Sequence, residues 1–165
     1  LQLNNLGVFY NMRANKANVN SSKLKVMTLG DEGKSLTIGE SGANVIITAA
    51  ATADRTITLP AVTGVAGAKG AYFRVIWGVA SDAQATIIQT ASSDEYIKGT
   101  AVYYLSGGTD NSDDMVNVQA NGSSHRTLTV NDNIEPGSMI ELVTDGSHWF
   151  ISNCRLAVTV DPAFS

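Results

Sequence analysis

Cysteine is almost missing from this chain: Cys154 is the only one in 165 residues. That excludes an intrachain disulfide framework, so the fold does not depend on an oxidising compartment. Histidine occurs twice, as His125 and His148, and no C-x-x-C or H-x-x-x-H spacing accompanies them. The common zinc arrangements need such spacings, so neither a metal nor a cofactor is expected. Charged residues make up 16% of the chain, below the usual share of about 25%. Their balance is −4, the wrong sign for the basic footprint that displaces phosphate counterions, so nucleic acid is not an expected partner. No apolar run approaches the roughly 18 residues of a membrane helix, and no leader pattern is visible from Leu1 onward.

What remains is a chain of short Thr-, Val- and Ile-rich runs separated by Gly, Asn, Asp and Ser, with 15 glycines and only 3 prolines. Its polar residues are mostly neutral, which suits surfaces buried against other subunits at little desolvation cost. The clearest segment is Thr56 to Trp77: T-I-T-L-P-A-V, a Gly/Ala linker, then A-Y-F-R-V-I-W. In that second run Phe73, Val75 and Trp77 face one way, while Tyr72, Arg74 and Ile76 face the other. Pro60 ends the first run because it cannot donate to a ladder. A partial echo lies further on, T-L-T-V followed by a turn and M-I-E-L-V, with chance resemblance among strands equally able to produce it. Asp145-Gly146 reads as a two-residue hairpin turn.

Turn signals recur about every 8–12 residues, the rhythm of a sandwich or barrel. The expectation is all-β: a β-sandwich or jelly-roll/barrel-like domain of roughly ten short strands. Residues 29–165 would form this single domain. Residues 1–28, rich in Asn and Lys and without a sustained 3.6 period, would form an extended N-terminal arm, with one short strand over Gly7 to Met12.

The residue types that carry catalysis do not assemble into a pattern. No G-x-S-x-G elbow supports a Ser/His/Asp triad, and Glu40, Glu95, Glu135 and Glu141 give no sign of a carboxylate pair across a cleft. Asp110, Asp113 and Asp114 crowd one loop but lack the ligand order of a calcium loop, so a solvated acidic loop is the preferred reading. Cys154 reads as a small core residue. Both histidines read as exposed loop residues. Trp149, beside the expected hairpin tip, is the best candidate for an exposed aromatic contact, although core packing is the default for an aromatic. The chain is therefore expected not to be an enzyme.

Five segments together resemble small structural proteins of tailed-phage virions, including those of marine and cyanobacterial phages. They are G-K-S-L-T-I-G-E-S-G (33–42), T-I-T-L-P-A (56–61), G-A-Y-F-R-V-I-W-G (70–78), A-T-I-I-Q-T-A (85–91) and P-G-S-M-I-E-L-V-T-D-G-S-H-W-F-I (136–151). The resemblance implies a head decoration (cement) protein on the outer surface of the capsid. Its partners would be the major capsid protein and itself, as a homotrimer. The arm would supply the contacts through Leu3, Leu6, Val8, Phe9, Tyr10 and Met12, with Arg13 and Lys16 meeting acidic capsid surface. A tail, neck or fibre component is the alternative within the same class. A carbohydrate-binding module acting through Trp149 is the alternative outside it.

Overall fold

The computed structural model describes residues 24–81, 84–105, 115–131, 133–159 and 162–165. Within them lie thirteen strands and a single 3-10 turn, Ile38–Glu40. The all-β expectation holds, as a mixed-sheet, sandwich-like domain with no closed barrel. The strands are β1 Lys25–Leu29, β2 Lys34–Ser35, β3 Ala43–Ile47, β4 Arg55–Thr58, β5 Tyr72–Trp77, β6 Thr86–Gln89 and β7 Ile97–Lys98. Then follow β8 Thr100–Leu105, β9 Met115–Gln119, β10 Thr127–Val130, β11 Met139–Thr144, β12 Trp149–Val158 and β13 Ala163–Phe164.

The large sheet runs β1-β3-β5-β11-β12-β8-β9, with β7 also beside β12, and the small sheet runs β13-β10-β6-β4-β2. The first six strands alternate between the two sheets. β1, β3 and β5 stack in parallel, and so do β2, β4 and β6. Each odd–even pair is thus one coil laid on the next. The second half of the chain closes this stack: β11 runs antiparallel along β5, and β10 antiparallel along β6.

Alternation along the strands builds the core between the sheets. The large sheet sends in Val45, Ile47, Phe73, Val75, Trp77, Ile140 and Leu142, and the small sheet sends in Ile57, Ile88, Leu128 and Val130. Where coils cross, side chains must be absent. A Cβ on Gly33 would lie 2.5 Å from the Thr56 carbonyl oxygen, and one on Gly78 would lie 2.8 Å from that of Ile47.

Successive turns are tied to each other. Asp31, in the turn after β1, accepts hydrogen bonds from the backbone N–H and hydroxyl of Thr52, in the turn after β3. Two charged side chains are wholly enclosed. The Arg55 guanidinium donates to the Ala49 carbonyl at 2.8 Å. Glu95 receives the backbone N–H groups of Val62 and Thr63 on one carboxylate oxygen, at 2.7 and 2.9 Å.

Three expectations change here. Residues Lys25 to Thr28, assigned to the arm, are part of β1 and pair with β3. Sequence reading places a strand over Ser35 to Ile38; the strand there is Lys34–Ser35, and Ile38 opens the 3-10 turn. The expected two-residue hairpin is a four-residue turn, Asp145 to His148. In it the Asp145 carboxylate accepts the N–H groups of Ser147 and His148, both at 2.8 Å. The sequence echo has a structural counterpart: β4 and β10 flank β6 in the small sheet, while β5 and β11 are neighbours in the large one.

Candidate docking surface

The outer face of the large sheet is built by the residues that alternate with the core. Register aligns them in three rows across β3, β5, β11 and β12. One row is Ile46, Ile76 and Met139, ending at the exposed Arg155 of β12, and a second is Tyr72, Val143 and Phe150. The row between them is polar: Asn44, Arg74, Glu141 and Asn153. The result is a band of charge flanked on both sides by largely apolar rows, part-exposed apart from the more shielded Asn44 and the open Tyr72, Asn153 and Arg155.

The central band is internally bonded. Arg74 Nε donates to Glu141 Oε2 at 3.0 Å, and its Nη2 reaches the same oxygen. Arg74 Nη1 also points to Asn44 Oδ1 at 3.5 Å, and the Ser152 hydroxyl donates to Glu141 Oε1 at 2.9 Å. A register shift between Glu141 and Leu142 accompanies the approach of Ser152. The Arg74 guanidinium holds the Glu141 carboxyl below its usual range, with Ser152 adding to the effect. The charges are thereby neutralised in place, and a partner surface can cover them at less cost than a lone ion.

Large exposed apolar side chains also mark both edges of this sheet. On the β1 side Leu24 is 68% exposed and Val26 57%. On the β9 side Met115 is 77% exposed, and its cross-strand partner Tyr104 is also open. Beside that second edge, β8, β9, β12 and the turn at Pro136 to Ser138 line an open cleft of about 780 Å³.

The aromatic contact expected at Trp149 is overturned: the residue is 0% exposed. Its ring packs on Phe73 with centroids 5.9 Å apart. The cause is parity. With four residues in the turn, Trp149 stands opposite Thr144, whose side of β11 faces the core. Phe150, its neighbour, faces outward instead, with Lys98 Nζ 5.8 Å from its ring centre.

The remaining sequence candidates are structural where they are described. Both histidines, expected to be exposed, are half-buried, and each accepts a backbone N–H at Nδ1, His125 from Asn121 and His148 from Tyr96. Their rings stack on Phe164 and Tyr96. Cys154 is half-buried and its thiol donates to the Val102 carbonyl, with burial pushing its pKa up to about 11. Among the described residues no group of three His, Cys, Asp or Glu side chains could hold a metal ion. No helix among them is long and apolar enough to cross a membrane. Leu3, Leu6, Val8, Phe9, Tyr10, Met12, Arg13 and Lys16 lie outside the described residues, as does the Asp110 to Asp114 loop.

The Arg74–Glu141 pair was missed by the sequence reading, although a signal was present. Each is a lone charge inside an apolar strand, at the outward position, in the two strands that echo each other. Compared with family models, curated proteins and solved structures, the chain matches none.

Proposed function

We propose that this chain is a non-enzymatic structural protein of a tailed-phage particle, a decoration protein that binds the outer surface of the head. It bridges major capsid protein subunits and opposes the outward pressure of packaged DNA. The observation that supports this reading best is the outer face of the large sheet. An open sheet face carrying two largely apolar rows around a pre-paired Arg–Glu band is shaped to lie against another protein surface. The sequence resemblance supplies the particle, and the N-terminal arm supplies further contact area on the capsid and within a homotrimer.

The stack of parallel coils favours one second reading, a tail, neck or fibre component, because a coil stack can be prolonged along its axis. The glycan-binding reading loses its named contact, since Trp149 is enclosed.

The test is co-sedimentation of the purified chain with heads that lack it, followed by imaging. Density at fixed symmetry positions on the shell, weakened by Tyr72→Glu or Phe150→Glu, is the expected result. Absence of head binding together with density at one end of the particle would move the chain to the tail.

A further inference from the structure

Asn121 and Gly122 form the only Asn-Gly step in the chain. They open the turn between β9 and β10, and Asn121 is exposed there. Its side-chain oxygen Oδ1 accepts three backbone N–H groups, those of Ser123 and Ser124 at 3.0 Å and that of His125 at 3.3 Å. Its amide nitrogen Nδ2 donates to the Ser124 hydroxyl at 2.6 Å, and its backbone N–H donates to His125 Nδ1 at 3.1 Å. The Gly122 N–H, by contrast, has no hydrogen-bond partner among the described residues. No side chain shields that nitrogen, and the space where a Cβ would stand is open to 4 Å.

Asparagine is one of the chemically labile residue types. Three N–H donors around one carbonyl oxygen are the arrangement that stabilises a developing oxyanion. Here that oxygen belongs to an amide, and the unengaged Gly122 nitrogen can close a five-membered ring on the same amide carbon. The turn from Asp145 to His148 shows the contrast. Asp145 Oδ1 also accepts two N–H groups. It belongs to a carboxylate, a poor target for a nucleophile, and the Gly146 N–H is already engaged by Thr144 Oγ1 at 2.9 Å.

We propose that Asn121 is a self-modification site, at which the Gly122 nitrogen cyclises onto the side chain to give a succinimide that water opens to aspartate or isoaspartate. The nitrogen gives its proton to solvent and attacks Asn121 Cγ, while the C=O pair moves onto Oδ1 beneath the three donors. When that pair returns, the Cγ–Nδ2 bond breaks, and Nδ2 takes a proton from water and leaves as ammonia. A second water opens the ring at either carbonyl. The balance is one water consumed and one ammonia released, with no oxidant or reductant. The product adds one negative charge. In isoaspartate the main chain also gains a methylene, in the turn whose His125 carbonyl receives the Ile97 N–H of β7 at 2.8 Å. The inference is independent of the decoration reading.

Ageing the full-length chain at neutral pH, folded in buffer and unfolded in urea, tests it. Isoaspartate is read by methyl transfer from an isoaspartyl methyltransferase, and its position by peptide mapping. Because the sequence is the same in both samples, the ratio of rates reports the turn alone. The folded chain should convert Asn121 at least about threefold faster than the unfolded one, a small part of the ~10²–10³ that one enclosed oxyanion donor supplies in an enzyme. Asn121→Gln should silence this position. Equal or slower conversion in the folded chain would overturn the proposal, since the turn would then protect the amide. Chain cleavage after Asn121 without isoaspartate would also overturn it, because the nucleophile would then be Nδ2 attacking its own main-chain carbonyl.

Discussion

Arg74 on β5 and Glu141 on β11 stand directly opposite each other, and they are the only oppositely charged residues paired across those two strands. Their ion pair sits on a part-exposed face, with side chains 35% and 21% exposed, so its worth to the fold is small. We expect Arg74→Ala or Glu141→Ala to cost about 0.5–1 kcal/mol, and a double-mutant cycle in urea to return a coupling of similar size. Binding to the particle should fall much more, since each single variant leaves one uncompensated charge to be covered. Equal losses in stability and binding would remove the face from the interface.

Trp149 supplies a prediction about light as well as stability. Both tryptophans are fully enclosed. Native emission should therefore be blue-shifted and poorly quenched by iodide, then shift red on denaturation. Trp149→Ala should destabilise by about 3–5 kcal/mol, the usual cost of emptying a large aromatic site in a core. A red native spectrum would mean that a tryptophan is exposed after all.

Acid should loosen the domain in a defined window. The Asp31, Glu141 and Asp145 carboxyls are all held below their ordinary values of 3.8, 4.5 and 3.8, Asp31 chiefly by Thr52, Glu141 by Arg74 and Asp145 by the His148 N–H. A carboxyl depressed in the folded state contributes stability above its unfolded value and loses it as the pH falls through its folded value. Melting temperature should thus be flat above about pH 5 and decline below it. Asp31→Asn should make the decline shallower while lowering the plateau.

Gly33→Ala tests the coil crossing. The new methyl would press on the Thr56 carbonyl, and overpacking of this kind costs about 1–3 kcal/mol. Gly30→Ala is the control, because a Cβ there meets nothing within 4 Å. Similar effects at the two positions would mean that β2 and β4 lie further apart than described.

Cys154 should be a sluggish thiol. With its pKa near 11, little thiolate exists at neutral pH, and labelling by a disulfide reagent should run at least about tenfold slower in the native chain than in denaturant. Equal rates would require the 149–158 strand to open freely.

Much of the fold was legible because strands in half-buried sheets alternate. Tyr72–Trp77 shows that alternation plainly, with Phe73, Val75 and Trp77 buried and Tyr72, Arg74 and Ile76 on the other face. The pairing was not legible. Local pattern cannot tell a parallel neighbour eighteen residues away from an antiparallel one across a hairpin, so the stacked coils went unseen. Trp149 was misplaced because nearness to the turn was read as exposure, whereas a turn of two or of four residues alike sets it opposite a core-facing residue of β11, Leu142 or Thr144. The Arg74–Glu141 band was visible only as two separate charges until tertiary register brought β5 beside β11.

The way the C-terminal half seals the coils bears on how the chain comes into being. Once Gln89 has left the ribosome, six strands have emerged, and β5 and β6 still face solvent along their outer sides. The strands that cover them, β10 and β11, begin about 40 and 50 residues later. During that interval the nascent chain exposes two adhesive ladders at once. Its safe production thus depends on translation outrunning encounters with other copies, a race decided at the ribosome rather than in the finished domain.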